Sequence, residues 1–184
     1  MIIGITGKSG SGKSTLANVL GQKRGYYVVH IDEIAHSILR ESDIQQQLIA
    51  IFGNKVMSKN KIDRKLLGEL IFTERHAYKE VVNTVWTKIK KEIDLILAIN
   101  KNVILDWLLL PHTHYWKLCD YTILVKSDER TRVKKVLARD KISKEYLEKR
   151  DAAGINFNKY KFNIVTYNNY KDYSFIEKIL KKEI

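Results

Sequence analysis

The chain has 184 residues, 45% of them apolar, which suits one domain with a single sizeable core. No stretch approaches the roughly 20 apolar residues of a membrane span, no apolar leader precedes residue 7, and the single cysteine, Cys119, excludes an internal disulfide, so an intracellular, cytoplasmic protein without a membrane partner is expected. The 33 basic and 21 acidic residues leave a formal charge of +12, which points to polyanionic ligands: nucleotide phosphates, nucleic acid, or both.

The first apolar strand, Ile2–Thr6, runs into Gly7-Lys8-Ser9-Gly10-Ser11-Gly12-Lys13-Ser14, the phosphate-binding pattern G-x-x-x-x-G-K-[ST], and a helical run follows from Thr15 to Leu20. Gly7, Gly10 and Gly12 let the backbone curl with its N–H groups inward, and the helix adds the positive end of its dipole. Lys13 is expected on the outer phosphates of ATP and Ser14 on its magnesium ion, with Ser11 and Thr15 completing the nucleotide-binding stretch.

A second strand, Tyr26–Ile31, ends at His30-Ile31-Asp32-Glu33. Open α/β sheets bind ligands at the carboxyl ends of their strands, so Asp32 is a candidate to accept a hydroxyl proton. The same carboxylate suits the N-cap of a helix over Glu33–Leu39, and the two roles are compatible. A long helical section follows. Ile44, Leu48 and Ile51 share one face, and Tyr78, Val82, Val85, Ile89, Ile93 and Ile96 form another stripe, with Gly53 and the polar turn Ser58-Lys59-Asn60-Lys61 between them. This section, about residues 33–100, reads as an insertion that would hold a phosphate acceptor.

The third strand, Val103–Asp106, closes on a carboxylate that would hold a magnesium-bound water or cap the strand end. Trp107 and Tyr115-Trp116 would stack on a base or wall a pocket. His112 and His114, with no cysteine nearby, read as loop histidines rather than metal ligands, and Cys119 as a small buried thiol. After the fourth strand, Tyr121–Val125, Ser127 is expected to cap a helix running to about Arg139, and Ser143 to start a second. The pair, carrying Arg130, Arg132, Lys134, Lys135 and Arg139, reads as a cationic lid over about 128–160. Lys135 and Arg139, four residues apart, can face one ligand. The other cations, like the lysines spread through Lys55–Lys65, Lys88–Lys91 and Lys178–Lys182, are expected to face solvent. Asn163–Tyr167 makes a fifth strand, and the alternation of strands and helices predicts an α/β protein with a parallel sheet.

Taken in order, these segments resemble the dephospho-coenzyme A kinase family. The resemblance runs through Ile3-Gly4-Ile5-Thr6-Gly7 and Gly10–Thr15, Ile31-Asp32-Glu33-Ile34-Ala35, Phe52-Gly53, and Ile62-Asp63-Arg64-Lys65-Leu66-Leu67. It continues through Leu105-Asp106, Leu109-Leu110, Cys119-Asp120-Tyr121, Ala138-Arg139-Asp140, Ile142-Ser143 and Asn168-Asn169. It implies a P-loop fold like that of nucleoside monophosphate kinases, with a five-stranded parallel sheet flanked by helices, a helical acceptor region and a lid. It also implies ATP-dependent phosphorylation of the ribose 3′-hydroxyl of dephospho-coenzyme A, with Asp32 as acceptor-side base, Arg139 as lid arginine and Arg64 on the acceptor-side helices. Arg64 would then meet the acceptor's anionic diphosphate, and Trp86 and Trp107 its long neutral arm.

The nucleotide half of the family pattern is intact, whereas the acceptor half departs from it. His30-Ile31-Asp32 replaces Asp-Ala-Asp, His36 stands at an arginine position, and Trp86-Thr87 stands for His-Pro. Asp106-Trp107-Leu108-Leu109-Leu110-Pro111-His112 alters Asp-x-Pro-Leu-Leu-x-Glu, and the lid glutamine falls near Gly154. Two alternatives follow: a nucleoside or nucleotide kinase of the same architecture, and a basic nucleic-acid-binding protein switched by nucleotide. The second is disfavoured by the lack of any recognisable DNA- or RNA-binding module.

Overall fold

The computed structural model describes residues 1–58, 61–172 and 174–181, without the side chains of Phe72, Arg75 and Tyr78. Lys59, Asn60 and Lys182, and the side chain of Tyr78 from the long helical stripe, therefore lie outside the described residues. The chain divides into two compact units, one made of Met1–His30 with Asn100–Ile184 and the other of Ile31–Ile99.

In chain order the elements are β1 (Ile2–Thr6), α1 (Lys13–Arg24) and β2 (Tyr27–His30), then the second unit's α2 (Ile31–Ile38), α3 (Ser42–Phe52), β3 (Met57–Ser58), β4 (Lys61–Ile62), α4 (Arg64–Thr73) and α5 (Arg75–Ile99). The first unit resumes with β5 (Val103–Asp106), β6 (Tyr121–Ser127), α6 (Glu129–Asp140), α7 (Lys144–Ala152), β7 (Ile164–Asn168) and α8 (Ser174–Leu180).

Its five strands form a parallel sheet in the order β2-β5-β1-β6-β7, so the strand that feeds the phosphate loop is central. Alternation along β1 explains why residues 2–5 carry no polar side chain. Ile3 and Ile5 face a core made with Leu16, Ala17 and Leu20 of α1 and Phe175, Ile176 and Ile179 of α8. On the opposite face a methyl group on Gly4 would lie 2.8 Å from the Cys119 sulfur and 2.9 Å from Leu110 Cδ2, so the backbone there is covered closely. Both faces of the central strand are thus buried, which suits an unbroken apolar run rather than an alternating one.

The second unit is helical apart from the two-residue antiparallel pair β3 and β4, in which Ser58 pairs with Lys61 on either side of the expected polar turn. Its core gathers Ile44 and Leu48 of α3 with Val85, Ile89 and Ile93 of α5, all buried as the helical periodicity predicts. Ile51 departs from that stripe: it sits in the last turn of α3, one residue before Phe52 ends the helix, and is 42% exposed. Asp63 caps α4, its carboxylate accepting from the N–H groups of Lys65 at 2.8 Å and Leu66 at 3.2 Å.

Two expected caps shift. Helix α2 begins at Ile31, so Asp32 lies inside its first turn instead of preceding it, where its charge still favours the positive helix end. Strand β6 continues through Ser127, which passes the capping role to Asp128; its carboxylate accepts from Thr131 N–H at 2.8 Å. Ser143 caps α7 as expected, accepting from Tyr146 N–H at 3.1 Å. No described helix is long and apolar enough to cross a membrane.

Cys119, expected as a small buried thiol, is only partly buried. Its S–H reaches the Tyr115 carbonyl at 3.3 Å, and burial, aided by the nearby Asp120 charge, pushes the thiol up to about 12. Thiolate is then about 10³-fold scarcer than for an ordinary cysteine at pH 8. Iodoacetamide should therefore label the native protein about a hundredfold or more slower than the urea-unfolded chain; equal rates by mass spectrometry would contradict this.

Candidate active site

Residues Gly7–Lys13 wrap around the amino end of α1, within the first unit. Gly12, the residue before the helix, has φ +97°, and a methyl group on it would stand 2.3 Å from Asn168 Nδ2. Only glycine combines that backbone geometry with so close an approach. No acidic side chain occupies the first turn of α1, so its leading N–H groups and the positive end of its dipole are left for an anion.

Beside the loop lies a cavity of about 490 Å³. Gly10, Gly12, Lys13, Ser14 and Thr15 form one side, with Lys135 and Arg139 from α6 among the residues on the other. Lys13, Lys135 and Arg139, with Lys171 as a fourth cation, thus line one hollow, and Lys13 is only 9% exposed, so its charge acts in a poorly screened setting. The expectation that Lys135 and Arg139 share a face toward one ligand matches this lining. Arg139 hydrogen-bonds Asp140 Oδ1 at 2.6 Å and Ser9 Oγ at 3.3 Å, and Arg150 donates to the other Asp140 oxygen at 3.3 Å. Burial works to raise the Asp140 carboxyl, but the two arginines outweigh it and hold it below the usual range.

Asp106 ends β5 beside β1, in register with Ile5, and is 3% exposed. One of its oxygens, Oδ2, bonds His30 Nδ1 at 2.7 Å; Oδ1 is buried and has no hydrogen-bond partner among the described residues. The other ring nitrogen of His30 meets Asn18 Oδ1 at 2.8 Å. Trp107 follows, 7% exposed, with its backbone N–H bound to the Ile5 carbonyl at 3.1 Å. His112 and His114 sit in the short turns Leu110–His112 and His114–Leu118, and no group of three metal-binding side chains occurs among the described residues.

In the helical unit Asp32 is the second residue of α2, Arg64 the first of α4, and Trp86 lies half-buried on α5. Burial, followed by the Arg64 charge, lowers the His36 imidazole, with the opposing influence of Asp32 weaker. His36 is therefore neutral near pH 7. Arg64 and Asp32 thus both lie within electrostatic reach of one side chain, the one at the family's arginine position.

Six cavity residues were not singled out from sequence as functional: Val136, Asn168, Tyr170, Lys171, Asp172 and Phe175. Asn168 Nδ2 donates to the Ser11 carbonyl at 3.0 Å and the Tyr170 hydroxyl to the Gly10 carbonyl at 2.5 Å. The Lys135 ammonium lies 4.5 Å from the Tyr170 ring centroid. Burial raises the Tyr170 phenol above its ordinary value, so it stays protonated and able to donate at neutral pH. Most of the other lid cations face solvent as expected, Arg130 and Lys134 among them, and Arg132 is the exception. It is wholly buried, pairs with Glu129 and Asp151, and donates from Nη1 to the Ser9 carbonyl at 2.9 Å. Its spacing offers one signal: it precedes Val136 by four residues, on the buried face of α6.

The family model described as dephospho-CoA kinase matches residues 1–169. A dephospho-CoA kinase of Fusobacterium nucleatum subsp. nucleatum is 36% identical over 153 residues, covering 81% of this chain and 78% of its own length. One from Borreliella burgdorferi is 31% identical over 202 aligned positions, covering 100% of this chain and 93% of its own. Among solved structures, TT1252 from Thermus thermophilus superposes with a TM-score of 0.81 at 28% identity, over 98% of this chain and 94% of that one.

Gly12→Ala should lose nucleotide binding, because it forces a side chain into a left-handed backbone and against Asn168. A destabilisation of about 1–3 kcal/mol is expected. Thermal melting with and without ADP and magnesium measures both effects; a wild-type ADP response in the variant would contradict the loop geometry.

Proposed function

The chain belongs to the dephospho-CoA kinase family, and we infer that it uses ATP to phosphorylate the ribose 3′-hydroxyl of dephospho-CoA, the step that completes coenzyme A. The observation that carries the chemistry is the single cavity lined by the phosphate loop, Lys13, Lys135 and Arg139. Phosphoryl transfer needs little covalent help from a protein; it needs a held triphosphate and cations where charge builds up. Backbone N–H groups and Lys13 hold the phosphates, while Lys135 and Arg139 offset charge on the group in flight.

Asp32 takes the proton of the acceptor hydroxyl as its oxygen bonds to the terminal phosphorus and the bond from that phosphorus to the ADP oxygen breaks. Arg64 supplies a cation for the acceptor's diphosphate, and Trp86 and Trp107 apolar surface for its neutral arm. We assign residues 33–100 to acceptor binding and residues 128–160 to a lid.

The residues present fit a hydrated magnesium ion. Ser14 offers a hydroxyl in the cavity, and Asp106 an anionic oxygen that is buried without a partner among the described residues. Ser14 would hold the ion directly and Asp106 through water. When bound, magnesium neutralises phosphate charge and aligns the outer phosphates.

The purified protein with ATP and magnesium should convert dephospho-CoA to a product one phosphoryl group heavier, read by mass spectrometry. Asp32→Asn should bind ATP within about threefold of wild type and transfer about 10²-fold or more slowly, the range of a lost general base. The substituted acceptor residues His30, His36 and Trp86 make the choice of acceptor the point to challenge. Product from a nucleoside or nucleotide, with none from dephospho-CoA, would replace the acceptor and leave the kinase chemistry standing.

A further inference from the structure

A phosphate loop works by turning successive peptide N–H groups toward one point. Each peptide then sends its carbonyl the other way, where, shielded from water, it needs a donor. In this chain the carbonyls of residues 8 to 12 all have one. Lys8 accepts from Ser11 N–H at 3.0 Å and Gly12 from Leu16 N–H at 3.0 Å, both local backbone bonds. The three between are taken by side chains from elsewhere: Ser9 by Arg132 Nη1 at 2.9 Å, Gly10 by the Tyr170 hydroxyl at 2.5 Å, and Ser11 by Asn168 Nδ2 at 3.0 Å.

Resting on the reading of this loop as the nucleotide site, we propose that Arg132, Tyr170 and Asn168 are positioning residues that hold the phosphate loop in its nucleotide-ready form by occupying three consecutive carbonyls of the loop.

Each donor is itself fixed. Arg132, wholly buried, is gripped by the carboxylates of Glu129 and Asp151, so one guanidinium joins α6, α7 and the loop. Asn168, 6% exposed, uses both ends of its amide: Nδ2 on the loop, and Oδ1 accepting the Tyr170 backbone N–H at 2.9 Å. Tyr170 adopts φ +62°, a left-handed conformation that costs an aromatic residue energy and is retained where surroundings fix it. That backbone lets one residue receive the Asn168 bond and send its hydroxyl to Gly10. The same closeness accounts for two glycines. A methyl group on Gly10 would meet Val136 at 2.5 Å, four residues from Arg132, and one on Gly12 would meet Asn168 at 2.3 Å.

Arg132 is not among the residues lining the cavity, so an effect of its substitution on nucleotide binding would act through the loop. Tyr170 and Asn168 do line it, and Tyr170→Phe separates the two roles by keeping the ring and deleting only the hydroxyl. Arg132→Lys keeps the charge but cannot serve Ser9, Glu129 and Asp151 together. Titration calorimetry of the full chain with ADP and magnesium should give a dissociation constant about tenfold higher in each variant, the scale of one hydrogen bond in a shielded site. The Michaelis constant for ATP should rise in step, and that for dephospho-CoA should stay within about twofold. Affinity for ADP within twofold of wild type in both variants would overturn the proposal, whether or not the melting temperature falls. Lys13→Ala is the control: if it binds no ADP, such a result rejects the positioning role and leaves the nucleotide site intact. Failure of the wild-type protein to bind ADP would reject both.

Discussion

Converging a row of peptide N–H groups on one anion creates a matching row of carbonyls facing the opposite way. In this protein the arrangement of the first unit follows from meeting that demand. The central position of β1 places the loop beside β6, and the helix that follows β6 supplies Arg132. The outer neighbour β7 ends in Asn168, and the residue two places on is Tyr170. The loop is thus held from α6 and from the end of β7, with Asn168 and Tyr170 also lining the cavity that Lys13 faces. Each of these bonds contributes about 1 kcal/mol, a modest figure, but the loop has no core of its own to set its shape.

The same elements also present cations to the cavity. Lys135 and Arg139 come from the helix that carries Arg132, one turn and two turns further along. Their approach to the loop is therefore tied to the buried arginine that anchors this helix, with Arg139 adding a bond to Ser9 Oγ. Charge is distributed with care around that anchor. Glu129 answers both Lys8 and Arg132, and its carboxyl is held below the usual range, first by the Arg132 hydrogen bond. Acidification through that lowered range would protonate Glu129 and weaken the link.

Much of the fold could be read from the sequence because its signals are local. The phosphate loop is contiguous, and the strand runs at 2–6, 103–106 and 121–125 are apolar since both sheet faces are covered. Cap positions were legible only to within a residue. Ser127 and Asp128 are both competent caps, and the extra length of β6, set by its pairing with β7, decides between them. The side-chain donors to the loop were not legible. Arg132, Asn168 and Tyr170 lie more than a hundred residues from the carbonyls they serve, and only its helical spacing from Val136 sets Arg132 apart in sequence from Arg130 or Lys134. His30 is an intermediate case. Sequence exposed it as a departure from the family's aspartate, and only the pairing of β2 with β5 shows what it does instead: it hydrogen-bonds Asp106, where a second carboxylate would have set two like charges side by side.

If the side-chain donors set the shape of the loop, that shape exists before nucleotide arrives. Backbone ¹⁵N relaxation of the nucleotide-free protein measures this directly, residue by residue, across Lys8–Lys13. Order parameters of about 0.85, equal to those of β1, are expected for these amides. Values below about 0.6 in the loop alongside a rigid β1 would show that nucleotide, and not the ring of side-chain donors, imposes the binding geometry.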